Sequence, residues 1–104
     1  MRGNETIQIS NALPSGEYTE VRCYDNGGTT CDRYTVVYMR QIERGGRNIG
    51  ATLYTCLGMS AEPFHPQGFG QHSAAMVGKH LGRRIPFAEL PADCRKAVLQ
   101  DFSA

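Results

Sequence analysis

The sequence predicts an α+β domain, with an antiparallel three- to four-stranded sheet packed against two C-terminal helices. Three observations carry that reading. Tyr34-Thr35-Val36-Val37-Tyr38 is β-branched or aromatic at every position, the composition of a strand buried on both faces. Asp25-Asn26-Gly27-Gly28 stands between two extended runs, and Asn-Gly is a strong turn signal because the primed turns need positive φ. In the last third, apolar residues recur at helical spacing. With 104 residues, the chain is one domain, 1–104, whose two layers share a core.

The elements follow in order. Residues 6–10 alternate, with Ile7 and Ile9 on one side, as a short strand requires, and residues 13–16 then read as a turn. Over 17–24, Val21 and Cys23 share one face while Tyr18 and Tyr24 share the other. Residues 33–40 form the central strand, with Tyr34, Val36 and Tyr38 facing one way and Thr35, Val37 and Met39 the other. A polar loop with Gly45-Gly46 spans 41–48, and 49–57 returns as a strand in which Leu57 faces away from Tyr54 and Cys56. Residues 58–70, rich in Gly and Pro, fit neither a helix nor a central strand and predict an ordered loop. Ala74, Ala75, Met76 and Val77 predict a helix over 71–81, ended by Gly82. Extended chain at 83–87 precedes a terminal helix whose Leu90, Cys94 and Val98 form a stripe for the sheet.

Composition excludes several classes. A formal charge of +1 with 40% hydrophobic residues is not that of a disordered chain. It also lacks the concentrated basic face that nucleic-acid binding by bulk electrostatics needs, although Arg40, Arg44 and Arg47, and Lys79, His80, Arg83 and Arg84, form local basic groups. No run reaches the roughly 18 apolar residues of a membrane helix. The first residues lack the apolar middle of a signal peptide, so a cytoplasmic location is the default expectation. Cys23, Cys31, Cys56 and Cys94 make no Cys-x-x-Cys pair and are expected as small buried hydrophobes.

Two polar segments are the candidate site. Asp25, Asp32 and Arg33 gather at the turn, where an inward Arg33 needs an acceptor such as Asp25, so that a structural ion pair competes with a substrate clamp. The turn lacks the longer Gly-rich spacing, the Lys and the following helix of a phosphate loop. The other segment, from His65 to His72, brings two imidazoles, Gln67, Gln71 and Phe69 within eight residues, as a rigid loop carrying a ligand site does. A metal alternative joins Cys23, Cys31, His65 and His72, and requires a three-residue turn that sets Cys23 opposite Cys31. Thiol catalysis would use Cys56 or Cys31 with His65 or His72 and an orienting Asp32 or Gln71, yet no local signature brings nucleophile and base together. No cofactor motif is present.

The stretch from Asp25-Asn26-Gly27-Gly28 into Asp32-Arg33-Tyr34-Thr35-Val36-Val37-Tyr38, together with Gly58-Met59-Ser60 to Gln71-His72 and Phe87-Ala88-Glu89-Leu90-Pro91, resembles small uncharacterised proteins encoded by bacteria and their phages. The resemblance spans residues 18–102 and implies a compact accessory protein without an assigned activity. A non-enzymatic accessory or interaction domain is therefore the leading expectation, with a protein partner or self-association through an uncovered tyrosine-rich sheet face. The alternative is a small hydrolase or ligand-binding protein using the His65–His72 loop with Asp32 or Arg33.

Overall fold

A computed structural model describes residues 4–10, 17–43 and 52–102 of the chain. The turn expected at 13–16, the Gly45-Gly46 loop, Arg44 and Arg47 of the first basic group, and the start of the strand expected from 49 lie outside the described residues.

Among the described residues, six strands form one antiparallel sheet: β1 (Glu5–Ser10), β2 (Glu17–Asp25), β3 (Tyr34–Ile42), β4 (Tyr54–Met59), β5 (Gly70–Ala75) and β6 (Arg83–Ile85). The spatial order is β1-β2-β3-β4-β5, with β6 added against β2. Strands β1 and β6 divide one edge of β2 between them. Glu5 to Ser10 pair with the stretch from Val21 back to Glu17, while Ile85, Arg84 and Arg83 pair with Cys23, Tyr24 and Asp25. The other edge of β2 pairs with β3 from Val21↔Tyr38 to Asp25↔Tyr34.

The central strand is buried on both faces along Tyr34–Tyr38, as its unbroken β-branched and aromatic run requires. Its two sides feed two cores. Tyr34, Val36 and Tyr38 join Val21, Cys23, Leu57, Met59 and Ile85 under the helix, and Thr35, Val37 and Met39 turn the other way. Tyr24, Val37 and Cys56 make the smaller core, which Val77 and Leu81 cover from the segment after β5. Tyr34 and Tyr38 are buried on the helix side and Tyr24 on the other, while Tyr18, on the same face as Tyr24, is exposed.

Among the described residues there is one helix, α1 (Ala92–Gln100). It lays Cys94 and Val98, with Leu90 just ahead of it, onto the main core. Asp93 in its first turn suits the positive end of the helix dipole.

The second helix, predicted over 71–81, is overturned. Residues 70–75 pair with β4 without interruption, from Met59↔Gly70 to Tyr54↔Ala75, and only a 3-10 turn, Lys79–Leu81, follows. The Ala-rich window has good helix propensity, but that preference amounts to at most about 1 kcal/mol per residue and yields to the ladder that β4 offers. Two neighbouring expectations change with it. The sheet has six strands among the described residues rather than three or four, and β4 runs on to a fully buried Met59, which was expected in the loop.

Candidate functional site

Strand β2 ends at Asp25 and β3 begins at Tyr34, so the connection is the eight residues 26–33 rather than a two- or three-residue turn. The chain does turn where expected. Gly27 and Gly28 have φ of 79° and 91°, a region open to glycine at little cost. Side chains brace the rest of the loop. The Asn26 carboxamide oxygen accepts from the Gly28 and Thr29 amides at 2.8 and 3.1 Å, and its amide donates to Thr30 Oγ1 at 2.8 Å. The Thr30 hydroxyl donates to the Asp32 carboxylate.

Arg33 reaches back across this loop. Its Nε and Nη2 donate to the two carboxylate oxygens of Asp25 at 2.9 and 3.3 Å, a two-pronged pair. The Arg33 hydrogen bond, aided by the Gly27 amide and the nearby Arg33 and Arg83 charges, holds the Asp25 carboxyl below the usual aspartate value against the opposing effect of burial. The Arg33 guanidinium also lies 5.2 Å from the centre of the Tyr34 ring. Asp25 and Arg33 thus satisfy each other.

The remaining candidates separate. His72 pairs with Leu57 and shares its face, where Nε2 lies 2.8 Å from Asp101 Oδ2 just past α1. The Tyr38 hydroxyl donates to the same carboxylate oxygen. Gln71 pairs with Gly58, and Asp32 approaches that glycine so closely that a Cβ there would lie 3.0 Å from the Asp32 Cβ. Gln71 and Asp32 therefore lie on the face opposite His72. His65 sits in a turn after β4, where its Nδ1 accepts from the Gln67 amide at 3.1 Å. Ser60 and Phe69 close that connection through Ser60 N–H to the Phe69 carbonyl at 2.8 Å and Phe69 N–H to Ser60 Oγ at 2.9 Å.

Two cavities divide what the sequence grouped. One, of about 410 Å³, is lined by Ser60, Glu62, His65 and Gln67. The other, of about 360 Å³, lies on the second sheet face and includes Asp32, Cys56, Ser73 and His80. Cys56 Sγ and Ser73 Oγ are 3.2 Å apart there. No described hydrogen bond joins His80 to Cys56, Ser73 or Asp32, although all four line this cavity. Ser73, His80 and Asp101 were absent from the candidate site. The helix expected over 71–81 hid Ser73.

The four-ligand metal alternative is not assembled. Cys23 stands opposite Val36 and Ile85, Cys31 is exposed in the loop, and His72 lies against Asp101. Among the described residues no group of three or more His, Cys, Asp or Glu could hold a metal ion. Burial, with a lesser push from Glu5 that outweighs Arg84, raises the Cys23 thiol to about 12. Burial and Asp93 raise Cys94 to about 11, and its Sγ donates to the Ser60 carbonyl at 3.1 Å. Both remain thiols at neutral pH, unlike the thiolate a nucleophile or metal ligand must present.

No helix of the described residues is long and apolar enough to cross a membrane. No family model matches the chain, and comparison with curated proteins and with solved structures gives no match.

Proposed function

We propose that the chain is a non-enzymatic accessory or interaction domain whose contact surface is the outer edge of β5, and that a second copy of the chain pairs there. One observation carries this reading: β5 is an unprotected edge. Among the described residues it pairs with β4 alone, over six consecutive positions without a bulge, and Gly70-Gln71-His72-Ser73-Ala74-Ala75 contains no Pro, Lys, Asp or Glu. Edge strands that stay unpaired usually carry such interruptions or charges.

The ladder specifies the register. Ser60 N–H bonds to the Phe69 carbonyl, so the antiparallel alternation turns the backbone groups of Gln71, Ser73 and Ala75 toward β4 and those of Gly70, His72 and Ala74 outward. Two copies related by a twofold axis through Ser73 set His72 opposite Ala74 of the other copy, with the outward groups of both in bonding positions. Side chains then keep to their own faces. The two Ser73 residues meet at the close, non-bonded position, where hydroxyls pair well and no like charges oppose.

Sedimentation velocity across a concentration series tests the proposal, with Ala74→Pro as the variant. Proline removes an outward N–H while leaving the β4 ladder intact, and edge positions tolerate it. The native chain is expected to dimerise and Ala74→Pro to remain a folded monomer. A native chain that stays monomeric, or a variant that dimerises equally, overturns the reading.

A further inference from the structure

A third cavity lies away from both polar segments, between β2 and the chain that crosses the second sheet face. Its volume is about 410 Å³, and Arg22, Tyr24, Gly78, Lys79, Gly82 and Arg84 supply most of its walls. Sheet geometry explains why the cations meet. Arg22 and Tyr24 are two apart on β2 and so share a face, and Arg84 of β6 stands directly opposite Tyr24. Lys79 arrives from the 3-10 turn above. Three separate elements thus deliver positive charge to one hollow, and no carboxylate lines it.

Asp25, the carboxylate opposite Arg83 on β2, is held by both prongs of Arg33. Arg22 Nε donates at 2.6 Å to the Asn4 carboxamide, a neutral acceptor, and Asn4 in turn donates to Glu20 at 3.5 Å. Arg22 is therefore steered by a neutral group, and its terminal amines have no hydrogen-bond partner among the described residues. The Arg84 guanidinium lies 5.6 Å from the centre of the buried Tyr24 ring. Stacking of this kind fixes the orientation of an arginine before any anion arrives.

We infer that this cleft is a binding site for a small phosphorylated ligand, with Arg22, Lys79 and Arg84 as its phosphate-binding groups. Arginine offers paired donors that match phosphate oxygens, while lysine contributes a compact charge. Gly78 and Gly82 carry no side chain, so backbone borders the hollow at both ends of the Lys79 turn. The ligand's size follows from the shape. A concave cleft of this volume fits one or two phosphate groups and a small attached body, whereas a nucleic-acid strand needs an extended basic track, and the chain's net charge is only +1.

Calorimetric titration at constant ionic strength tests the inference, with inorganic pyrophosphate, inorganic phosphate and a short single-stranded oligonucleotide as probes. Amide chemical shifts of Tyr24, Gly78 and Gly82 report the location. Saturable binding of pyrophosphate or phosphate is expected, moving those amides, with Lys79→Gln weakening it about tenfold through loss of one charge-assisted contact. Lys79 is exposed, so this variant keeps the fold, and Arg22→Gln provides an independent second loss. The inference fails if neither inorganic anion saturates, if both variants bind like the native chain, or if the oligonucleotide binds through these residues while the small anions do not.

Discussion

The Tyr38 hydroxyl donates to the carboxylate of Asp101, joining the central strand to the residue that follows α1 across 63 positions of sequence. Tyr38 is 2% exposed, and its ring packs edge-on to Phe102 at 5.1 Å between centres. One residue thus ties helix to sheet by a polar and an apolar contact.

Tyr38→Phe separates the two. It keeps the ring and removes the donor to a charged acceptor, a loss of about 1.5 kcal/mol. Urea denaturation is expected to show a lower midpoint at an unchanged slope, since the surface exposed on unfolding is the same. An unshifted midpoint would assign the tie to packing alone.

Stability should also fall on the alkaline side. The folded state holds Cys23 at about 12 and Cys94 at about 11, both against 9.0 for an ordinary thiol, and raises Tyr38 above its usual 10.0, chiefly through burial. Above pH 9 the unfolded chain releases thiol protons that the folded chain retains, so the unfolded state gains stability as pH rises. These contributions are complete below pH 9, and each group erodes stability by up to about 1.4 kcal/mol per pH unit through the interval between its two values. Cys23→Val should flatten the slope. Asp25 acts oppositely: its carboxyl is lowered, so the stabilisation from its pair is present above the ordinary aspartate value of 3.8 and is lost on acidification. That acid limb should be small, because the Arg33 side chain is 43% exposed and solvent screens the pair.

Thiol labelling should sort the cysteines cleanly. Cys31 is exposed, while Cys23, Cys56 and Cys94 are buried. A neutral-pH reaction with a chromogenic disulfide is expected to modify one thiol rapidly and the other three only on unfolding. Cys31→Ser should abolish the fast phase, and any fast phase that persists would place a second thiol at the surface.

Glycines offer a graded test. Gly82 has φ of 114°, and a Cβ there would lie 2.4 Å from the Asp25 carbonyl oxygen, against backbone that cannot swing aside. Gly82→Ala should cost at least about 3 kcal/mol, combining strain with the clash. Gly27, with φ of 79°, has nothing within 4 Å of its would-be Cβ, so Gly27→Ala should cost only about 1 kcal/mol of conformational strain. Thermal melts of the two variants should differ accordingly.

What could be read in advance follows the range of the forces involved. The Leu90, Cys94 and Val98 stripe, the two-sided burial of Tyr34–Tyr38 and the positive φ of Gly27 are local consequences of spacing and side-chain shape, and the sequence carried them. The length of the 26–33 loop depends on how Asn26, Thr30 and Asp32 hydrogen-bond around it, and residue types alone do not fix that pattern. Strand β5 was missed because Ala74 to Val77 favour helix locally, whereas its actual state is set by β4. The candidate site dispersed for a related reason: strand pairing puts His72 and Gln71 on opposite faces, and chain spacing cannot show which face each partner occupies.

The shared edge of β2 carries a consequence for how the molecule assembles. Val21 back to Glu17 finds a neighbour in β1, which precedes it in the chain, but Cys23–Asp25 must wait for Arg83–Ile85, some sixty residues later. During synthesis, one half of this edge can zip while the other stays open until most of the polypeptide has emerged. The final closure joins segments far apart in sequence, the kind of step that slows folding. A chain interrupted before Arg83 would therefore display a raw strand edge at Cys23–Asp25, and association at that edge would compete with maturation.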